Sequence, residues 1–491
     1  MSELVFSKWR ARLWPIHHQE LRKIIPLLLM KFLISLNYAL LTGMKDAMVV
    51  TAQGGGAEVI PVLKGWGVLP VAILAAFLYA KLSMRLRQTT LFAIILFSFL
   101  SLIALYGYVL YPNMDALSPH HSADALQAWF GEGRGQHWVA VYRNWIPSLF
   151  FIMAELWGSF AIFILFWGFT SQIHTLSEAK RTYTLYIAAG DLASIAAGRM
   201  LVHYSQVSPQ FLNSLQSITF AILVFGLIIF VLYQWLVRRV LPAGWDTAPL
   251  LATGTSTQKA LSFRKSLVHL FSSKYVLCLA VMVISVGLTV NMIEVSWKAS
   301  LKLLYPDIIQ YQAYMGTVTS LVGTVALITV LLIGGGLIRY LGWFVSALLT
   351  PAVIGVSGVL FLGLILLYRT ESTWFFGMQV PLTMIVLVGA VQQVAAKVMK
   401  YSFFDSTKEM AFIPLSPEEK TKGKAAVDVV SSRLGKSGAS WLQVGLLDLV
   451  GTGSILSISH FLLPVLVIAV VGWIYAIKTL RPAVAASEAL Q

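Results

Sequence analysis

The sequence predicts an all-α, polytopic membrane protein, and three observations carry that prediction. Of 491 residues, 58% are hydrophobic and 12% are charged, and the mean hydropathy of +0.77 is far above that of a soluble chain of this length. Run after run of apolar residues reaches the ~20 that a helix needs to cross hydrocarbon. Between those runs, Lys and Arg collect on alternate loops, the bias that marks cytoplasmic segments.

Taken in order, residues 1–23 are polar and basic, with Lys8, Arg10, Arg12, Arg22 and Lys23, and form a cytoplasmic N-terminal segment. No short apolar stretch with a small-residue cleavage site occurs there, so the first span is expected to act as the insertion signal itself. Six spans follow at roughly 24–48, 60–80, 90–111, 146–170, 183–203 and 216–237. A polar linker, 238–272, carries Arg238, Arg239, Lys259, Arg264 and Lys265. Six more spans lie at roughly 275–296, 314–335, 342–368, 377–398, 433–457 and 460–479. The expected units are therefore an N-terminal six-helix part (24–237), the linker, a C-terminal six-helix part (273–480) and a cytoplasmic tail (481–491).

Loop charge supports that count. The loops placed inside hold Lys81, Arg85 and Arg87, then Lys180 and Arg181, the linker, Arg339, and Lys400, Lys408, Lys420, Lys422 and Lys424. On the other side, 204–215 and 451–459 carry no charge. Such alternation predicts twelve helices with both termini cytoplasmic. The net charge of +15 is thus mostly a matter of orientation rather than nucleic-acid binding, with an anionic substrate accounting for the remainder. Cys278 is the only cysteine, which excludes an intrachain disulfide and a cysteine metal cluster. His120, His121 and His137 share the 112–145 loop without metal-ligand spacing, and neither metal nor cofactor is expected.

The two parts look related. Ser177-Glu178-Ala179-Lys180 and Pro417-Glu418-Glu419-Lys420 follow the fourth span of each, and lead at equal distance to Gly198 and Gly438. Two six-helix halves with a polar linker are the plan of a major-facilitator-type secondary transporter, whose substrate site lies between the halves.

Chemistry is expected where charge interrupts apolar runs. The stretch LLTGMKDAMVVTAQGGGAEVIPVLKGWGVLP, from Leu40 to Pro70, brings Lys45 and Asp46 to the end of the first span. Its bland alternative is an exposed hairpin. Glu155, in FIMAELWGSFAIFILFWGF, has apolar flanks on both sides; an isolated charge at that depth costs at least ~2.5–3.5 kcal/mol, so it faces the protein interior or locks two helices. Glu294 and Lys298 are four apart and can simply pair with each other. Lys436 lies in SSRLGKSGAS, among small residues that also suit helix packing. The Gly-Lys-Ser triplet is not a P-loop, because the required earlier glycine falls on Val430 and no strand precedes it. Asp191 and Arg199 share a helix face and are candidate structural partners, and Lys424 and Asp428 form an i,i+4 pair on a solvated face at a helix start. Two lysines and two glutamates near the centre point to a phosphate- or carboxylate-bearing substrate.

Several stretches run in one order along nearly the whole chain: WPIHHQEL, KDAMVVTAQGGGAEVIPVLKGWGVLP, RNW with AELWGS and FWGF, SEAKRTY, NMIEVSWKASLK, KYSFFDSTKEMAFIPL and KGKAAVDVVSSRLGKSGA. With them the chain resembles the non-mitochondrial ATP/ADP translocases, the nucleotide transporter family of obligate intracellular bacteria and plastids. The resemblance implies nucleotide transport by twelve helices in a major-facilitator-like arrangement, with no catalytic residues and no cofactor. Counter-exchange of ATP and ADP, or of other nucleoside tri- and diphosphates, is the expected activity. The family's functional positions fall on Lys45, Glu155, Glu294 and Lys436, with Asp46, Asn291 and Lys298 as further substrate or gate contacts. It further implies a monomer in a bacterial inner membrane, with nucleotides and lipid as its partners. One departure stands out: familiar exchangers read Arg-Asp-Thr-Lys-Asp where this chain has Thr42-Gly43-Met44-Lys45-Asp46. Proton-coupled import of nucleoside triphosphates is therefore the alternative. A membrane enzyme would need a metal cluster or activated nucleophile that the sequence lacks. A passive channel would have no use for buried opposite charges.

Overall fold

In hydrocarbon a backbone can satisfy its polar groups only within its own segment, so the long apolar runs fold as helices. The computed structural model describes residues 14, 16–131, 133–207, 210–242, 245, 273–333, 336–370, 373–374, 378–415, 427 and 431–488. The basic start of the chain, most of the expected linker and the Lys424–Asp428 pair lie outside the described residues.

The helices that matter for the site are α1 (Leu21–Thr51), α2 (Val59–Ser83), α3 (Gln88–Leu110), α4 (His120–Phe130) and α5 (Gln136–Arg143). They continue with α6 (Trp145–Ile173), α7 (Leu176–Val207), α8 (Phe211–Arg239), α9 (Lys274–Leu304) and α10 (Ile308–Ile333). Last come α11 (Gly336–Arg369), α12 (Leu382–Met410), α13 (Ser432–Val450) and α14 (Ser459–Glu488). Among the described residues, 11 helices are long and apolar enough to cross a membrane, and the protein is an all-α polytopic membrane protein. The span expected at 433–457 is the shorter, more polar α13. It stops at Gly451, whose φ of +68° is left-handed, and a 3₁₀ turn, Ile455–Ile458, leads into α14. The 112–145 stretch, expected as a loop, folds instead into the turn Met114–Leu117 and helices α4 and α5. A two-residue ladder, Thr373 opposite Gln379, is the only strand pairing among the described residues.

Burial divides into two clusters. One joins α1, α3, α6, α7 and α8, with Phe92 stacked on Tyr233 at 3.7 Å between ring centres and Trp157 fully enclosed. The other joins α9 to α14 and also takes in Ala47, Val49 and Val50 of α1, Phe151 of α6 and Val59, Ile60 and Leu63 of α2. Outward faces are apolar instead of polar: Ile73, Leu74, Phe77 and Leu78 of α2 and Ile468 and Val471 of α14 are all exposed, as lipid requires.

Helices α7 and α10 cross where neither has a side chain. A Cβ at Gly198 would lie 2.3 Å from the Gly316 carbonyl oxygen, and one at Gly316 would lie 2.8 Å from that of Gly198. Ser320 Oγ donates to the Ile195 carbonyl at 3.2 Å, and Gln312 Nε2 donates to Ser205 Oγ at 3.0 Å. Small residues that admit this approach replace the hydrophobic effect as the source of helix association in lipid. Gly198→Val is therefore expected to destabilise the protein by ~1–3 kcal/mol through overpacking, read as a lower melting temperature in detergent. An unchanged melting temperature would show that the crossing is looser than described.

Candidate functional site

Helix α1 is enclosed on every side from Gly43 to Val50, so Lys45 and Asp46 have no route to water along the lipid face. Their partners come from two other helices. Lys45 Nζ lies 2.9 Å from Asp46 Oδ1 and 3.0 Å from Glu155 Oε1 of α6, and sits 4.0 Å above the ring of Phe151. The other Asp46 oxygen, Oδ2, accepts from Lys298 Nζ of α9 at 2.8 Å. Lys298 is also 3.0 Å from Glu294 Oε1, one turn back. Glu294 Oε2 is 3.3 Å from Lys64 Nζ of α2, which donates to Asn291 Oδ1 at 2.8 Å.

The result is one alternating line, Glu155–Lys45–Asp46–Lys298–Glu294–Lys64, that crosses between α1, α2 and α6 on one side and α9 on the other. Its three cations and three anions cancel. Removing an ion from water costs several kcal/mol, and only a close partner with saturated hydrogen bonds offsets that cost. The middle of the line is sealed, with Lys45 at 2% exposure and Asp46 and Lys298 at 1% each, whereas Glu155 (26%), Glu294 (19%) and Lys64 (17%) are partly open.

Lys436 of α13 does not join the line. It is exposed, makes no ion pair among the described residues, and lies within electrostatic reach of Glu155, Glu294, Lys64 and Lys400. Lys400 sits 4.9 Å above the Tyr401 ring, and Lys397 also acts on Glu294. Asp405 offsets Lys400 in part, yet Lys397, Lys400 and Lys436 together outnumber it, so positive charge is in surplus here and an anion fits.

Six of the seven residues singled out in the sequence are thus brought together, with Lys436 close by. The Glu294–Lys298 pair exists, but Lys298 also reaches across to Asp46. Asp191 and Arg199 do not pair; Arg199 points outward, and Asp191 is near Lys31 instead. Sequence reasoning passed over Lys64, Lys397 and Lys400. The signal for Lys64 was present, as the only charge inside the second span; Lys400 read as a positive-inside loop residue, and Lys397 sits at the end of the span expected at 377–398.

At the end of the spans that carries the 52–58 connection, further contacts join the two groups of helices. Lys302 Nζ of α9 donates to the Gly55 carbonyl, and His137 Nε2 of α5 lies 3.2 Å from Asp448 Oδ1 of α13. Glu58, between α1 and α2, has its carboxyl pushed above the usual range by burial, with a backbone hydrogen bond and Lys302 acting in the opposite sense. No group of residues suited to hold a metal occurs among the described residues.

A polytopic helical protein with a neutral charge line and surplus lysines between its helix groups is, as a class, a membrane transport protein. The family model of the TLC ATP/ADP transporter matches residues 1–483, and the chain belongs to that family. It is 38% identical to ADP,ATP carrier protein 1 of Chlamydia pneumoniae, over all of this chain and 96% of that one. Identity to the chloroplastic ADP,ATP carrier protein 1 of Arabidopsis thaliana is 37%, over 96% of this chain and 75% of that one. With ADP,ATP carrier protein 3 of Rickettsia bellii it is 34%, over 97% of both chains. Membership in a transporter family bears out the reading of a carrier rather than an enzyme.

The sealed centre makes a thermodynamic prediction. Lys298→Met is expected to cost about 3–5 kcal/mol, because it leaves the line with an uncompensated buried negative charge. Adding Asp46→Asn to that variant should recover most of the loss. A double variant no more stable than Lys298→Met, measured by thermal unfolding in detergent, would show that the two charges are not coupled.

Proposed function

We propose that this protein is a nucleotide antiporter, exchanging ATP for ADP, or other nucleoside tri- and diphosphates, between two six-helix halves that alternate access to a shared site. The observation that carries this reading is the charge line itself. It ties α1, α2 and α6 to α9 through Lys45, Asp46, Glu155, Glu294, Lys298 and Lys64, with the surplus lysines Lys436 and Lys400 beside it. Family membership and the naming of its relatives as ADP,ATP carriers support it.

In this reading the halves are 24–237 and 273–480 in a major-facilitator-like plan, and α13 supplies the twelfth crossing. Both termini face the cytoplasm, the protein works as a monomer in a bacterial inner membrane, and the contacts around Gly55, His137 and Lys302 close its outer side. Lys436 binds substrate phosphate, while Glu155, Glu294 and Asn291 orient the cations around it.

The departure at Thr42 and Gly43 is compatible with exchange. An arginine and an acid are lost together, so the balance of charge does not change. The vacated position is filled, since a Cβ at Gly43 would lie 2.4 Å from Leu201 Cδ1. Nothing in this replacement adds a proton-binding group, which favours exchange over proton-coupled import.

Proteoliposomes loaded with ADP are expected to take up labelled ATP, with no release of inorganic phosphate and no response to a protonophore. Uptake into empty vesicles under an inward proton gradient would overturn exchange. Lys436→Ala should weaken nucleotide binding by about 2–5 kcal/mol, the cost of leaving a buried phosphate charge without its partner. Wild-type affinity in that variant would remove Lys436 from the site.

A further inference from the structure

The lysines of the site differ in how fully they are already engaged. Lys45 and Lys298 each lie between two carboxylates at 3.0 Å or less and are sealed from water. A phosphate could reach either one only by breaking ion pairs in a closed interior. Lys64 is held differently, by one carboxylate at 3.3 Å and one neutral amide at 2.8 Å, with its side chain partly open. An ammonium has three donors, so Lys64 retains capacity for another acceptor.

Its position is also set from below. Lys64 lies in a π-helical turn, Leu63–Val68, an irregularity that widens the helix and often marks functional sites. There α2 presses against α13: a Cβ at Gly65 would lie 2.9 Å from Trp441 Cδ1 and 3.5 Å from Ser440 Cβ. Ser440 in turn donates to the carbonyl of Lys436, one turn earlier on α13. Two like charges, Lys64 and Lys436, are therefore brought near one another on neighbouring helices, within electrostatic reach. Such a juxtaposition is repulsive until an anion enters between them.

We infer that Lys64, together with Lys436, grips the phosphate chain of the transported nucleotide, while Lys45 and Lys298 lock the helices together through Asp46. The inference rests on the nucleotide-carrier reading and adds a specificity-determining residue to it. Because the attraction of a point charge scales with the charge it meets, Lys64 favours nucleotides with longer phosphate chains. Binding also draws Lys64 away from Glu294, so substrate loosens one of the ties between α2 and α9.

The test is binding of ATP, ADP and AMP to the purified full-length protein in detergent, by titration calorimetry. Lys64→Gln retains hydrogen bonding to Asn291 and Glu294 but removes the charge. It is expected to weaken ATP binding about tenfold or more and AMP binding by about threefold or less, so that preference for ATP collapses. Lys64→Arg should restore part of that preference. Lys298→Met should weaken all three nucleotides by a common factor and leave the preference intact. Should Lys64→Gln fail to fold, Lys64→Met carries the same expectation. An ATP-over-AMP ratio that survives loss of the Lys64 charge, or one that collapses in Lys298→Met, would overturn the assignment. Wild-type protein that binds none of the three nucleotides would overturn the carrier reading itself, and the role of Lys64 with it.

Discussion

Charge has no inexpensive place in the interior of a membrane protein, and the site described here is organised by that cost. Each sealed ion has two opposite partners: Lys45 has Asp46 and Glu155, Asp46 has Lys45 and Lys298, and Lys298 has Asp46 and Glu294. Such a line resists having a single member removed, since every deletion strands a charge on its neighbours. It also runs across the seam between two groups of helices. The same cost that forces the charges to pair therefore holds those groups in register.

Backbone irregularity accompanies some of the open charges. π-helical segments, Leu63–Val68, Gly158–Gly168 and Lys400–Phe404, hold or lie close after Lys64, Glu155 and Lys400, while Glu294 and Lys436, which are also open, sit on regular helix. Elsewhere the seam is closed by small residues. Gly198 meets Gly316 and Gly65 meets Trp441, close approaches that supply the packing lipid cannot drive hydrophobically. The end of α1 that carries Lys45 packs into both clusters, with Met44 and Met48 in the N-terminal one and Ala47, Val49 and Val50 in the C-terminal one, which also takes in the first turns of α2 around Lys64. A movement of one cluster against the other would thus be felt at Lys45, where α1 touches both.

Gly43 shows how tightly the first span packs beside the line, since a Cβ there would lie 2.4 Å from Leu201 Cδ1. Removing one ion of the line would leave a charge unmatched, whereas removing an opposite pair would not, so balance of charge is what the low-dielectric interior enforces.

Composition and hydropathy by themselves determined the all-α membrane class and most of the span positions, because crossing hydrocarbon demands length and apolarity that are visible residue by residue. They also marked Lys45, Glu155, Glu294 and Lys298, since a charge inside an apolar run is conspicuous wherever it pairs. The polar α13 and the helices α4 and α5 were less legible, because a helix buried among other helices, or lying outside the membrane, need not be apolar along its length. Which charge meets which was decided only by tertiary structure. Lys298 has an evident local partner in Glu294, and nothing in its neighbourhood in the chain announces Asp46, 252 positions away. Lys64 likewise reads as an isolated interruption until the fold sets it beside Asn291, Glu294 and Lys436. Pairing energies depend on distance in space, falling off within a few ångströms, and sequence spacing records that distance only along a single helix.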